Sequence, residues 1–239
     1  MEFGNLGIKI FADGADLDDL EHLRKNSLIQ GFTTNPTLMK NAGVTDYEEF
    51  AKRAVDIVEG KKISFEVFSD ELDEMISQAR IISSWGGNIS VKVPIVNTRG
   101  QSSCEIVRQL SQEGIAINVT AIFSQRQYTA VIDCFDKDAE SIVSIFAGRI
   151  ADTGVDPVPI IADAVKYAKY KKGVEILWAS PREVLNIIQA DQVNCDIITV
   201  PPVMIDKFVN SYGKDLEEFS VETVKMFHDD AIQSNFYIN

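Results

Sequence analysis

Residues 89–121 read ISVKVPIVNTRGQSSCEIVRQLSQEGIAINVTA. Two β-branched runs, Ile89–Val93 and Ile115–Ala121, bracket a helical pattern over Ser102–Glu113, and Gly114 closes that helix as a residue free to take the left-handed conformation. Strands separated by a helix of this length pair in parallel, since the connection is too long for a hairpin. The crossover is then right-handed. The same alternation continues on both sides. Towards the N-terminus stand strands at Ile8–Ala12, Ile29–Thr33 and Ile63–Phe68, with helices at Asp16–Ser27 and Leu72–Trp85. A capping box at Thr45–Glu48 opens a further helix with Tyr47, Phe50, Ala51, Ala54 and Val58 on one face. Towards the C-terminus come helices at Gln125–Asp136, Pro157–Tyr170 and Arg182–Ala190, interleaved with strands at Ser141–Phe146, Val174–Ala179 and Ile197–Val200. Pro201 and Pro202 then lead into more helix.

Eight βα units predict an α/β fold, a single-domain (β/α)8 TIM barrel over residues 1–239. A doubly wound open sheet is the other arrangement that the alternation allows. Residues 214–239 read as an extra C-terminal helix and tail. Met226, Phe227, Phe236 and Tyr237 make that segment apolar enough to dock, on this subunit or on a neighbour.

The chain of 239 residues carries 23 Lys+Arg against 36 Asp+Glu, a net charge of -13, with 45% hydrophobic residues. That balance fits a globular protein and works against binding nucleic acid or an anionic membrane surface. A phosphate-bearing partner needs a local basic pocket. Cys104, Cys134 and Cys195 are far apart and form no CxxC pair, which predicts reduced thiols rather than a disulfide framework or a zinc site. No basic segment followed by an apolar run opens the chain, and no stretch reaches the roughly 18 apolar residues of a membrane span. A soluble, cytoplasmic protein is expected.

In a barrel of this kind, functional groups come from the C-terminal ends of the strands and the loops beyond them. The polar residues there are Asp13 after the first strand, Thr33, Thr34 and Asn35 after the second, Glu66 within the third and Lys92 within the fourth. Asn118 and Thr120 follow on the fifth, Ser144 and Arg149 on and after the sixth, and Ser180 and Arg182 after the seventh. Lys92 lies between Val91 and Val93, and strand parity puts it on the face opposite both valines. If the valines face the helices, the lysine points into the barrel. A lysine withdrawn from water tends to give up its proton, and the neutral amine is a nucleophile towards carbonyls. An edge lysine or a structural ion pair with Glu66 are the competing readings. Asp13 reads equally as a helix N-cap, Asn118 and Thr120 as hydrogen-bonding groups in the barrel floor, and residues 32–36 as a turn with a helix start.

The segments Gly31–Leu38 (GFTTNPTL), Val91–Pro94 (VKVP), Asn118–Thr120 (NVT), Phe146–Asp152 (FAGRIAD) and Ala179-Ser180 resemble, in order, the motifs of the transaldolase family. The length is similar to that of its small subfamily, which includes fructose-6-phosphate aldolase-like proteins. The resemblance spans Asp13 to about Pro201. It implies a Schiff-base mechanism with no cofactor or metal and a phosphorylated sugar as substrate. It assigns Lys92 as the attacking amine, Asp13 as the carboxylate handling protons during C–C cleavage, and Glu66 with Thr120 as the pair holding a catalytic water. Asn35 and Asn118 match donors that position the intermediate, with Thr34 beside Asn35 in the substrate-binding set. Ser144, Phe146 and Ser180 match substrate contacts, and Arg149 and Arg182 the pair that grips the phosphate. Short members of the family assemble, so a homo-oligomer is implied. Two carboxylates beside the iminium are expected to stay ionised and to offset its charge.

Glu66 and Phe146 resemble the transaldolase pattern, whereas the aldolase-like members tend to carry glutamine and tyrosine there. Pro181 departs from the aromatic residue usual before Arg182, and this alters the direction expected for that arginine. An aldolase-like protein needing no acceptor and a non-catalytic sugar-phosphate binder are the alternatives.

Overall fold

The computed structural model describes residues 6–137, 139–234, 236 and 238. Eight strands pair in chain order, all parallel: β1 (Lys9–Asp13), β2 (Ile29–Thr33), β3 (Lys62–Glu66), β4 (Ile89–Pro94), β5 (Ile117–Ile122), β6 (Ser141–Ile145), β7 (Val174–Trp178) and β8 (Ile197–Val200). Parallel pairing of β8 with β1, Phe11 opposite Thr199, closes the barrel and excludes the open sheet. The helices are α1 (Leu17–Leu23), α2 (Pro36–Asn41), α3 (Tyr47–Ile57), α4 (Leu72–Ser83), α5 (Cys104–Gln112), α6 (Gln125–Cys134), α7 (Ala147–Ala151), α8 (Val158–Ala168), α9 (Leu185–Gln192), α10 (Pro202–Ser211) and α11 (Leu216–Gln233).

Strand positions agree with the sequence to within two residues, because β-branched runs mark them directly. Helix ends agree less well. The first helix stops at Leu23 instead of Ser27, and the ninth begins at Leu185 instead of Arg182. The capping box at Thr45 is corrected: the cap of α3 is Asp46, whose carboxylate accepts the Glu49 amide at 2.9 Å. A carboxylate one residue closer to the helix wins the position. Asp13 is not an N-cap either, since Asp16 caps α1 through the amides of Asp18 and Asp19.

Two apolar layers result from strand parity. Val91, Val93, Ile117, Val119 and Val143 face outward and are sealed by the helices, in a core that also holds Phe50, Met75, Leu110 and Val131. A smaller cluster of Phe11, Ile142, Leu177, Ala179 and Ile197 fills the barrel interior. The Phe11 ring fits there because residue 31 is glycine: a Cβ on Gly31 would lie 2.6 Å from that ring. Below this cluster the inward charges pair as Lys9–Glu175 and Lys62–Glu140. Above it the interior turns polar, with Thr33, Ser64, Lys92, Asn118, Ser144 and Thr199 all buried.

The C-terminal helix α11 differs from the others in burying no residue. Leu216 is 82% exposed, and Val224, Phe227 and Ile232 are exposed as well, so within this subunit the segment does not dock. Tyr237 lies outside the described residues. Among the described residues no helix is long and apolar enough to cross a membrane.

Candidate active site

The polar end of the barrel opens into a cavity of about 400 Å³, within the range for small-molecule sites. Asp13, Asn35, Glu66, Lys92, Asn118, Thr120, Ser144, Phe146, Arg149 and Ser180, ten of the twelve residues expected at the site, line it. Register explains why they meet. Glu66 is paired with Lys92, Lys92 with Asn118 and Pro94 with Thr120, so neighbouring strands deliver their inward polar residues at similar heights.

Lys92 is 6% exposed, and its Nζ donates to the Thr34 carbonyl at 2.9 Å and lies 3.5 Å from Glu66 Oε2. Of the three readings open for Lys92, the edge-strand one is excluded. The inward position and the Glu66 contact both hold. Burial raises the pKa of Glu66, against the opposing charge of Lys92, and Asp13 raises it further. Asp13 is raised for the same first reason, with Lys92 and the Thr33 hydrogen bond pulling down. For both carboxyls the loss of hydration outweighs the attraction of the ammonium group, so their pKa values lie above the ordinary carboxylate range.

Secondary contacts hold these groups in place. The Thr33 hydroxyl donates to Asp13 Oδ1 at 2.7 Å, and the Thr33 and Thr199 hydroxyls bond to each other. A hydroxyl has one hydrogen, so with Thr33 donating to Asp13, Thr199 donates to Thr33. The Tyr47 hydroxyl accepts from the Glu66 amide at 2.8 Å and donates to the Glu66 carbonyl at 2.9 Å, which fixes the backbone beneath that carboxyl. Ser144 donates to Asn118 Oδ1 at 2.6 Å, while Asn118 Nδ2 donates to Ser64 at 3.2 Å. The buried Thr120 hydroxyl has no hydrogen-bond partner among the described residues. Such an orphan is costly unless an occupant of the cavity satisfies it.

Asn35 caps α2, accepting the Leu38 amide at 3.0 Å, so its side-chain NH2 remains for the cavity. Thr34 sits behind the lining: fully buried, it gives its hydroxyl to the Ser64 carbonyl and its own carbonyl to Lys92. At the other end Phe146 stacks near Phe123 at 5.8 Å, with the Arg149 guanidinium 5.7 Å from its ring centre. Ser180 lines the cavity with φ of 58°, a conformation that costs a non-glycine residue about 1–3 kcal/mol. Arg182 is the second residue found elsewhere: its Nε and Nη2 fork onto Asp152, the former at 2.9 Å, and it does not line the cavity.

A family model described as Transaldolase/Fructose-6-phosphate aldolase matches residues 10–237. The chain belongs to the transaldolase/fructose-6-phosphate aldolase family. A protein named "Probable transaldolase" from Sphingopyxis alaskensis is 34% identical over 83% of this chain and 88% of its own length. Another of the same name from Chelativorans is 34% identical over 91% of this chain and 97% of its own. A crystal structure described as a putative phosphonomutase from Burkholderia cenocepacia J2315 aligns with TM-score 0.57 at 10% identity, covering 92% of this chain and 95% of that one. That likeness shows the barrel alone.

Membership of the transaldolase/fructose-6-phosphate aldolase family makes the polar cavity the place to look for its chemistry. Reading polar strand ends found most of the cavity lining. Thr199, Tyr47 and Phe123 were missed. Thr199 is legible as a polar residue inside the apolar run IITV, whereas Tyr47 on an amphipathic helix gave no sign that its hydroxyl reaches β3.

Proposed function

We propose that the protein is a Schiff-base transaldolase that moves a dihydroxyacetone unit between phosphorylated sugars, for example from fructose 6-phosphate to erythrose 4-phosphate, giving glyceraldehyde 3-phosphate and sedoheptulose 7-phosphate. The observation that carries this reading is the buried Lys92 amine in a polar cavity with the carboxyls of Glu66 and Asp13 beside it.

The neutral amine attacks C2 of the ketose. The carbinolamine loses hydroxide as water, using a proton that Glu66 and the unpartnered Thr120 hydroxyl deliver through a water held between them. The resulting iminium is an electron sink. Asp13 takes the C4 hydroxyl proton, the C3–C4 bond breaks, and its electron pair neutralises the iminium as an enamine. Aldose leaves, the acceptor aldehyde enters, and the same steps run in reverse, with Asp13 returning its proton. A raised carboxyl pKa suits a group that must both take and give a proton. Asn35, Asn118 and Ser144 hold hydroxyls of the three-carbon unit, Ser180 contacts the rest of the sugar, and Arg149 anchors the phosphate. Phe146 supports transfer over hydrolytic release, because a phenyl ring packed on Phe123 offers no hydroxyl to activate water.

Incubation with fructose 6-phosphate and borohydride is expected to add mass at Lys92 alone, read by peptide mass spectrometry. An unlabelled Lys92 under turnover conditions excludes the mechanism.

The reading includes a cytoplasmic, water-soluble homo-oligomer. The uncovered apolar side chains of α11 support assembly between copies. Light scattering is expected to give a multiple of the 26.6 kDa chain mass, and a particle of one chain mass at micromolar concentration counts against it.

A further inference from the structure

The barrel ladder is interrupted at one place, where β2 leaves β3. Register pairs Thr33 with Ser64, and the Thr34 amide still donates to the Ser64 carbonyl at 3.2 Å. In a parallel ladder the amide and carbonyl of one residue bond to the two residues that flank its opposite number. The next rung would therefore run from the Glu66 amide to the Thr34 carbonyl. The one after it would need an amide at residue 36, which is Pro36, the first residue of α2 and without an N–H. Both rungs are replaced by one side chain. The Glu66 amide donates to the Tyr47 hydroxyl at 2.8 Å, and that hydroxyl donates to the Glu66 carbonyl at 2.9 Å. The Thr34 carbonyl accepts the Lys92 amine instead, at 2.9 Å. On the β4 side the ladder is intact, with the Val67 amide on the Lys92 carbonyl at 3.0 Å. The Tyr47 ring is held by Phe68 at 4.4 Å, Trp85 at 5.5 Å and Phe65 at 6.2 Å. Burial pushes its phenol above the usual range, so the hydroxyl keeps the proton that it donates.

We propose that Tyr47 is a positioning residue for the nucleophile: by standing in for β2 at Glu66, its hydroxyl leaves the Thr34 carbonyl turned into the barrel to hold the Lys92 amine. The proposal rests on the Schiff-base reading above. A ladder carbonyl lies in the sheet and points at the next strand. Lys92 reaches Thr34 from β4, two strands away, through the barrel interior. The carbonyl oxygen has two lone pairs, so Tyr47 acts on its direction and not by clearing an occupied site. Anchored by one N–H, the neutral amine is kept where the ketose carbonyl arrives. Once the iminium forms, its nitrogen carries a single hydrogen, which the same carbonyl accepts, fixing the plane of the C=N bond. The hydroxyl clasps the Glu66 backbone as well, so one phenol sets both the amine and the carboxyl that lies 3.5 Å from it.

The test uses the full chain with fructose 6-phosphate as the probe. Tyr47→Phe keeps the ring and removes the hydroxyl. Schiff-base formation at saturating sugar, timed by quenching into borohydride and weighing the Lys92 peptide, is expected to slow about tenfold, the scale of one hydrogen bond to a charged group. The sugar concentration that gives half the maximal rate should change by less than about twofold, whereas a general loosening of the site would raise it. In a crystal structure of the variant, the Glu66 amide should lie at hydrogen-bonding distance from the Thr34 carbonyl, with the Lys92 amine moved off it. Trp85→Phe alters the packing around the Tyr47 ring but spares the hydroxyl, and should trap sugar at the wild-type rate. Wild-type crystals reduced with borohydride in the presence of the sugar give a reading that needs no variant: the Lys92 nitrogen of the adduct should rest on the Thr34 carbonyl. The proposal is overturned if that nitrogen is turned away, if Tyr47→Phe traps as fast as wild type, or if Trp85→Phe is slowed as much as Tyr47→Phe. Absence of any adduct on wild type rejects the Schiff-base reading instead. A wild type that traps sugar beside an unchanged Tyr47→Phe rejects only the role of the hydroxyl.

Discussion

Lys92→Met loses transaldolase turnover by a factor on the order of 10⁴ or more while the barrel stays folded. The size follows from the role. Among the described residues no other amine lines the cavity, and the groups that remain can move protons but cannot hold the electron pair released by C–C cleavage. Methionine keeps the length and most of the apolar volume of the lysine stem, so packing between Val91 and Val93 is little disturbed. Removing one partner of a buried ion pair usually costs about 3–5 kcal/mol, because a charge is left unpaired. Here Glu66 and Asp13 already have pKa values raised by burial, and loss of Lys92 removes the charge that opposes that rise most strongly, so both rise further. An acid raised in the folded state favours folding below its unfolded pKa and loses that contribution as pH rises through the folded value. The thermal midpoint of the variant should therefore fall further behind wild type as pH rises from about 4 towards 8. Retained turnover within tenfold of wild type removes Lys92 from the mechanism.

Why was so much of this legible in the residues, and where did legibility stop? Strand parity around Val91-Lys92-Val93 is a local fact, and the closed barrel converts it into a direction. Asp13, Glu66, Asn118 and Thr120 were found in the same way, since a polar residue inside a β-branched run is costly to bury unless it has a partner or a task. What failed depended on contacts between elements distant in sequence. Thr34 looked like a substrate contact because it adjoins Asn35, but one strand position turns its hydroxyl to Ser64 and its carbonyl to Lys92. The direction of Arg182 is set by Asp152 across the α7 contact, a pairing that no spacing in the chain announces. The raised pKa values of the carboxyls were not legible for a related reason. Charge is visible in a sequence, whereas the loss of water that decides the pKa belongs to the assembled cavity.

Asp13→Asn separates the two halves of the proposed chemistry. The amide is nearly isosteric and keeps an oxygen to accept the Thr33 hydroxyl, so the Thr199–Thr33 chain survives the change. It cannot take the C4 hydroxyl proton. Cleavage and transfer should fall by about 10²–10⁴-fold, the usual contribution of a positioned base. Formation of the Schiff base does not use that proton, so borohydride trapping of fructose 6-phosphate at Lys92 should persist. The pH behaviour provides the second reading. Burial holds the Asp13 carboxyl above the ordinary range, so in wild type the acid limb of kcat/KM should lie above the roughly pH 4 expected of a free aspartate. The sign for stability runs opposite to that for activity. The same raised pKa costs the wild-type fold stability as pH rises through it, and asparagine, which never ionises, removes the cost. Asp13→Asn should thus be the more stable protein at pH 8, with the two melting temperatures converging as pH falls towards 4. Loss of trapping together with loss of cleavage would place Asp13 in carbinolamine chemistry instead, and a variant melting below wild type at pH 8 would mean that the ionised carboxylate is a net support of the fold.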